Sequence, residues 1–99
     1  QEDPGNQAYL AKVWSYNPVT GLLTEIAQHD PARFTPGISD FTQDEESSGV
    51  IDVSSMFEGA PGYDTENFRY LLLDVQAHTP VADPELVERG QLLMMKVAK

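Results

Sequence analysis

Ninety-nine residues with sixteen acids against six bases carry a net charge of −10, which opposes phosphate backbones and anionic membranes and so argues against a nucleic-acid partner. Cysteine is absent, which excludes a disulfide framework, a thiolate metal site and a cysteine nucleophile. No apolar run approaches the ~20 residues of a membrane span, and Gln1 to Pro4 has neither the basic nor the apolar region of a signal peptide.

The length fits a single β domain over 1–99, and the seven Gly and seven Pro fall between apolar stretches as turn punctuation. The chain does not begin with Met, so the expectation is a processed chain or a section of something longer.

In chain order, Gln1 to Gln7 reads as a turn-forming loop around Pro4 and Gly5. Ala8 to Tyr16 reads as a strand, with Leu10, Trp14 and Tyr16 on one parity and Tyr9, Ala11 and Val13 on the other. Asn17 to Gly21 is a hairpin loop, Pro18 presetting φ and Gly21 supplying the positive φ, and Leu22 to Ala27 returns as the partner strand.

Gln28 to Ser48 has no sustained period and carries Pro31, Pro36 and Gly37, so it is expected to be a long surface excursion, with Ser47, Ser48 and Gly49 turning tightly into the strand that follows. Val50 to Val53 is the next strand, and Ser54 to Phe57 a short helical turn capped by Ser54. A Gly- and Pro-rich loop over 58–67 leads to Phe68 to His78, whose near-continuous apolar run predicts a central strand buried on both faces. Asp83 to Gly90 reads as one or two helical turns, with Asp83 as N-cap and Gly90 as the stop, and Gln91 to Val97 as the closing strand. The expected fold is mostly β: antiparallel sheets of about five short strands with long loops, resembling one to two blades of a β-propeller. Partial blades leave open edges, so completion by another copy or by a missing segment is expected.

Two groups of residues could carry chemistry. Asp44, Glu45 and Glu46, with Asp40 and Asp52 nearby, are oxygen ligands of the kind that calcium takes in flexible sets of six to eight. Between Arg33 and Arg69 there is no Lys or Arg against eight acids, so this stretch cannot neutralise itself locally. The spacing is not an EF-hand, and a solvated acidic loop would look the same. Asp74, Gln76 and His78 stand two apart, which puts them on one face of the strand, either as a carboxylate and imidazole site or as a structural hydrogen-bond network. Glu2 and Asp3 form a weaker acidic turn. Arg33, Arg69 and Arg89 read as salt-bridge partners, and Ser47 and Ser48 lack the setting of a nucleophile.

The ordered set Gln-Glu-Asp-Pro-Gly-Asn (1–6), Ala-Lys-Val-Trp-Ser-Tyr-Asn-Pro-Val-Thr-Gly (11–21), Ala-Gln-His-Asp-Pro-Ala-Arg-Phe (27–34), Gln-Asp-Glu-Glu-Ser-Ser-Gly-Val-Ile-Asp (43–52), Leu-Leu-Leu-Asp-Val-Gln-Ala-His (71–78) and Glu-Leu-Val-Glu-Arg-Gly-Gln-Leu-Leu (85–93) resembles the C-terminal part of bacterial proteins related to the PhoX alkaline phosphatases. The resemblance implies an exported β-propeller, extracellular or periplasmic, that hydrolyses phosphate esters with calcium and iron near its central channel. The Glu2, Glu45 and Glu46 motifs match this branch of the family without fixing any one of them to a metal; on the enzyme reading Glu45, Glu46 and Asp74 are the expected metal ligands, with Asp44 and Glu2 beside them, and His78 orients a ligand or the phosphate. The cysteine that ligates iron in the characterised enzymes has no counterpart here. The partners implied are the remainder of the propeller or another copy, joined through sheet edges, and a phosphate ester substrate. The alternative is a non-catalytic domain that binds calcium or pairs its sheet edges with another subunit.

Overall fold

The computed structural model describes residues 5, 9–34, 37, 41, 44–78, 81–83, 85 and 89–99. Five strands form: β1 (Lys12–Tyr16), β2 (Leu23–Gln28), β3 (Glu46–Asp52), β4 (Phe68–Ala77) and β5 (Arg89–Ala98). They make two antiparallel sheets, β1-β2 and β3-β4-β5, with β4 in the centre as its apolar run predicts. Neither sheet closes into a barrel.

The first hairpin forms as its loop chemistry requires. Asn17 N–H donates to the Leu22 carbonyl and Gly21 N–H to the Asn17 carbonyl, both at 2.8 Å. The Asn17 side-chain oxygen accepts Val19 N–H and Thr20 N–H, while Gly21 takes φ +72°. Strand β1 starts later than its composition suggests. Leu10 and Ala11, although outside it, are buried with Val13. Tyr16 is exposed and Trp14 only half-buried on the outer side, where the Lys12 ammonium lies 5.3 Å from its ring. These two aromatics are therefore not core residues.

Strand β3 departs most from its sequence reading. It begins at Glu46, not Val50, so Ser47, Ser48 and Gly49 lie in a strand and do not form a tight turn. Pairing with the ten-residue β4 outweighs their local turn preference, and the misfit is absorbed as a bulge: the register jumps from Ser48↔Asp74 to Ile51↔Leu72. Gly49 carries the positive φ, +61°.

Strand β4 is covered on both faces, but at opposite ends. Leu73, Val75 and Ala77 are buried on the face turned to the β1-β2 sheet. Tyr70 is buried on the other face, under Phe57 and Tyr63, with ring centroids 5.6 and 5.1 Å away. This split explains an apolar run that does not alternate. The facing positions on each uncovered half, Asp74 and Gln76 among them, remain exposed.

The turn over Ser54–Phe57 is a 3-10 helix whose N-cap is Val53, and no side chain caps it. Ser54 instead ties three elements together: its hydroxyl donates to Asp52 Oδ1 at 2.6 Å and accepts Tyr70 N–H at 2.9 Å. Arg89 and Gly90, read from sequence as the end of a helical turn, belong to β5. Asp83 Oδ1 does accept Glu85 N–H at 3.0 Å, as an N-cap would; the rest of that segment, like the turn at Gln1 to Pro4, lies outside the described residues.

Candidate functional site

The acidic segment enters β3 beside the end of β4. Antiparallel register sets Glu46 opposite Gln76, Ser47 opposite Val75 and Ser48 opposite Asp74. Alternation then divides the candidate residues between two faces. Ser47 follows Val75 into the space between the sheets, and Ser48 follows Asp74 out of it.

Glu45 lies on the inner side and is 1% exposed, the most deeply buried large side chain among the described residues. Its Oε2 accepts His78 N–H at 2.5 Å and lies 3.2 Å from His78 Nδ1. A buried carboxylate needs such donors, because desolvation disfavours its charge unless hydrogen bonds or opposite charge compensate. Glu45 and His78, far apart in sequence, are thus brought together as a pair.

Asp74 lies on the outer face and accepts a hydrogen bond from the Ser48 hydroxyl at 3.0 Å. Gly49 makes this possible. A Cβ there would stand 2.9 Å from Asp74 Oδ1, so the bulge glycine leaves room for the carboxylate. Glu46 and Gln76, paired across the ladder, are next along. Asp44 lies in the turn before Glu45; Glu2 and Asp40 lie outside the described residues. Asp52 is committed elsewhere: Ser54 hydrogen bonds, then Arg69 at 2.9 Å, hold its carboxyl below the usual range. Arg33 approaches Asp30 at 3.8 Å.

Among the described residues, no three His, Asp or Glu side chains converge as a metal-binding group. Glu45 and Asp74 stand on opposite sides of the sheet, so these two do not meet on one ion, while the outer-face side chains of Glu46, Ser48, Asp74 and Gln76 carry oxygen donors of the kind that calcium takes.

Two further polar groups were not recognisable as site residues from the sequence. His29 follows β2, where its N–H donates to the Ala11 carbonyl at 3.0 Å, and its ring packs on Phe34 with centroids 4.4 Å apart. Burial pushes its pKa below the ordinary value, against the weaker upward pull of negative Glu45. Among the described residues, neither ring nitrogen has a hydrogen-bond partner, and the buried Ser47 hydroxyl has none either. The only sequence signal for His29 was its place two residues after Ala27, which continues the inner face of β2.

Matching the chain against protein-family models, curated proteins and solved structures finds no similar protein.

Proposed function

We propose that this chain is a section of a metal-dependent phosphatase-like β-propeller, a phosphoric ester hydrolase of the PhoX-related type, whose sheets are completed by the remainder of that propeller or by another copy. The observation that carries the reading is the unfinished sheet. Strand β5, ten residues long, pairs with β4 along its whole length and with no described strand on its other edge, and Leu92 beside that edge is 69% exposed. Propeller blades usually have four strands, one more than this sheet has. The radius of gyration, 15.7 Å, also exceeds the roughly 13 Å of a compact 100-residue domain.

In this reading Glu46 and Asp74 supply part of the oxygen set of a calcium site, and the other ligands, any iron ligands included, come from beyond the described residues. The Glu45–His78 pair anchors the acidic segment against the end of β4, which fits His78 to orient a ligand or the phosphate. The site would face an extracellular or periplasmic environment. The open edge also supports the second reading, a non-catalytic domain that pairs its edge with another subunit.

Thermal unfolding of the chain in its complete assembly, in calcium and in chelator, tests the cation assignment. Calcium at 100 times its Kd is expected to add about 2.7 kcal/mol of stability. The double substitution Glu46→Gln, Asp74→Asn should remove that gain. A melting curve indifferent to calcium would count against the ligands and leave the edge-pairing reading standing. Release of phosphate from an aryl phosphate ester, measured with the chain in its complete assembly, decides between the two readings.

A further inference from the structure

The two sheets do not close tightly on each other. Between them lies a cleft of about 280 Å³, walled by Val13 and Ala27 on one side and by Leu73, Val75 and Leu93 on the other. His29 and Ser47 also line it, one contributed by each sheet's side of the cleft. Their side-chain nitrogens and oxygen are the buried polar side-chain atoms without a partner among the described residues. A buried hydroxyl or imidazole left unpaired loses the hydrogen bonds it had in water, so two such groups at one cleft call for a common explanation.

We propose that the inter-sheet cleft is a binding site for a neutral, largely apolar small molecule of about bicyclic size that carries one hydroxyl or N–H group, held by hydrogen bonds to His29 and Ser47. Size sets the upper part of this description. A dry apolar cavity of ~150 Å³ accommodates benzene, and this cleft has nearly twice that volume. The walls set the apolar character. Neutrality follows from the lining, which among the described residues holds no Asp, Glu, Lys or Arg to supply a counter-charge; burial lowers the His29 pKa, which favours the neutral ring with one donor and one acceptor nitrogen, and Ser47 can donate or accept. The site is separate from the outer-face carboxylates, and it does not depend on the phosphatase reading.

Indole and indene, alike in size but differing in the N–H, make the test. Titration of the isotope-labelled chain, followed by NMR at the His29 ring and the Ser47 amide, should show saturable binding of indole, with indene about tenfold weaker, the value of one hydrogen bond at the upper end of the usual range. His29→Phe, which keeps a ring packed at a tilt on Phe34, should bring indole down to the indene level. Leu93→Trp, which fills the cleft from a partly exposed position, should abolish binding of both. The proposal is overturned if neither compound shifts these signals, if indole and indene bind alike, or if the ring nitrogens show contact only with trapped water that indole does not displace. Shifts confined to residues outside the cleft would equally overturn it.

Discussion

At the bulge in β3, Gly49 holds φ +61° with Asp74 Oδ1 where its Cβ would be. Alanine there meets two penalties: left-handed backbone, which costs roughly 1–2 kcal/mol for an L-residue, and a carboxylate that must move. Gly49→Ala should lower the urea midpoint by an amount equivalent to at least ~1 kcal/mol with little change in m, and an unchanged midpoint would sink this account of the bulge. His29 has a pH signature. Its folded pKa lies below 6.5, so between the two values the unfolded chain binds a proton that the folded chain does not. Stability is therefore lost as pH falls from 6.5 towards the folded pKa. His29→Phe should flatten the slope of stability measured from about pH 7.5 down to about pH 5.5. Asp52 and Asp64, whose pKa values are lowered by hydrogen bonds from Ser54 and Asn67, act in a separate window: their contribution is present above 3.8 and lost as pH falls through their folded values.

Among the elements, the join between β4 and the loop over 58–67 is the part most directly tied by side chains. Phe57 and Tyr63 stack with centroids 4.2 Å apart over Tyr70. The Tyr70 hydroxyl oxygen accepts Asp64 N–H at 3.0 Å, and the Asp64 carboxylate accepts from both the Asn67 backbone and its side-chain amide. Tyr70→Phe keeps the rings and deletes one hydrogen bond. It should cost about 0.5–1.5 kcal/mol. For a domain of this size that is a fall of several °C in melting temperature, roughly 4–8 °C per kcal/mol, and a melting temperature equal to wild type would show that water replaces the bond without loss. This aromatic cover at one end, and the β1-β2 sheet over Leu73, Val75 and Ala77 at the other, explain why β4 appeared in the sequence as a doubly buried strand.

For the whole molecule, the open edge is the dominant feature. A long edge strand with exposed apolar residues is a template for further pairing, and β5 contains Arg89 and Lys96 but no acid in a chain of net charge −10. It is the edge least opposed by self-repulsion to an incoming strand. Native mass should therefore show association of the chain with itself when no other partner is supplied. Leu92→Lys, a charge beside that edge, should shift the mass towards monomer. A strictly monomeric wild type with a high melting temperature would defeat the unfinished-sheet reading.

The mostly-β class, the Asn17 to Gly21 hairpin and the central place of β4 were legible in the sequence because each rests on local chemistry or on hydrophobic pattern: an Asn and a Gly in a turn, a run of apolar residues too continuous for an edge. The start of β3 was not legible. Ser47, Ser48 and Gly49 prefer turns by themselves, and only the ladder partners offered by β4, far along the chain, hold them extended. The division of the acids was hidden for the same reason. Glu45, Glu46 and Asp74 come from two separate stretches and were expected together only as ligands on the enzyme reading; strand alternation and register send Glu45 inward to His78 and leave Asp74 outside with Ser48. Sequence alone determined the charge, the absence of thiol chemistry and the mostly-β class of five strands. Tertiary pairing decided which polar groups meet, because register and burial depend on partners that no local stretch contains.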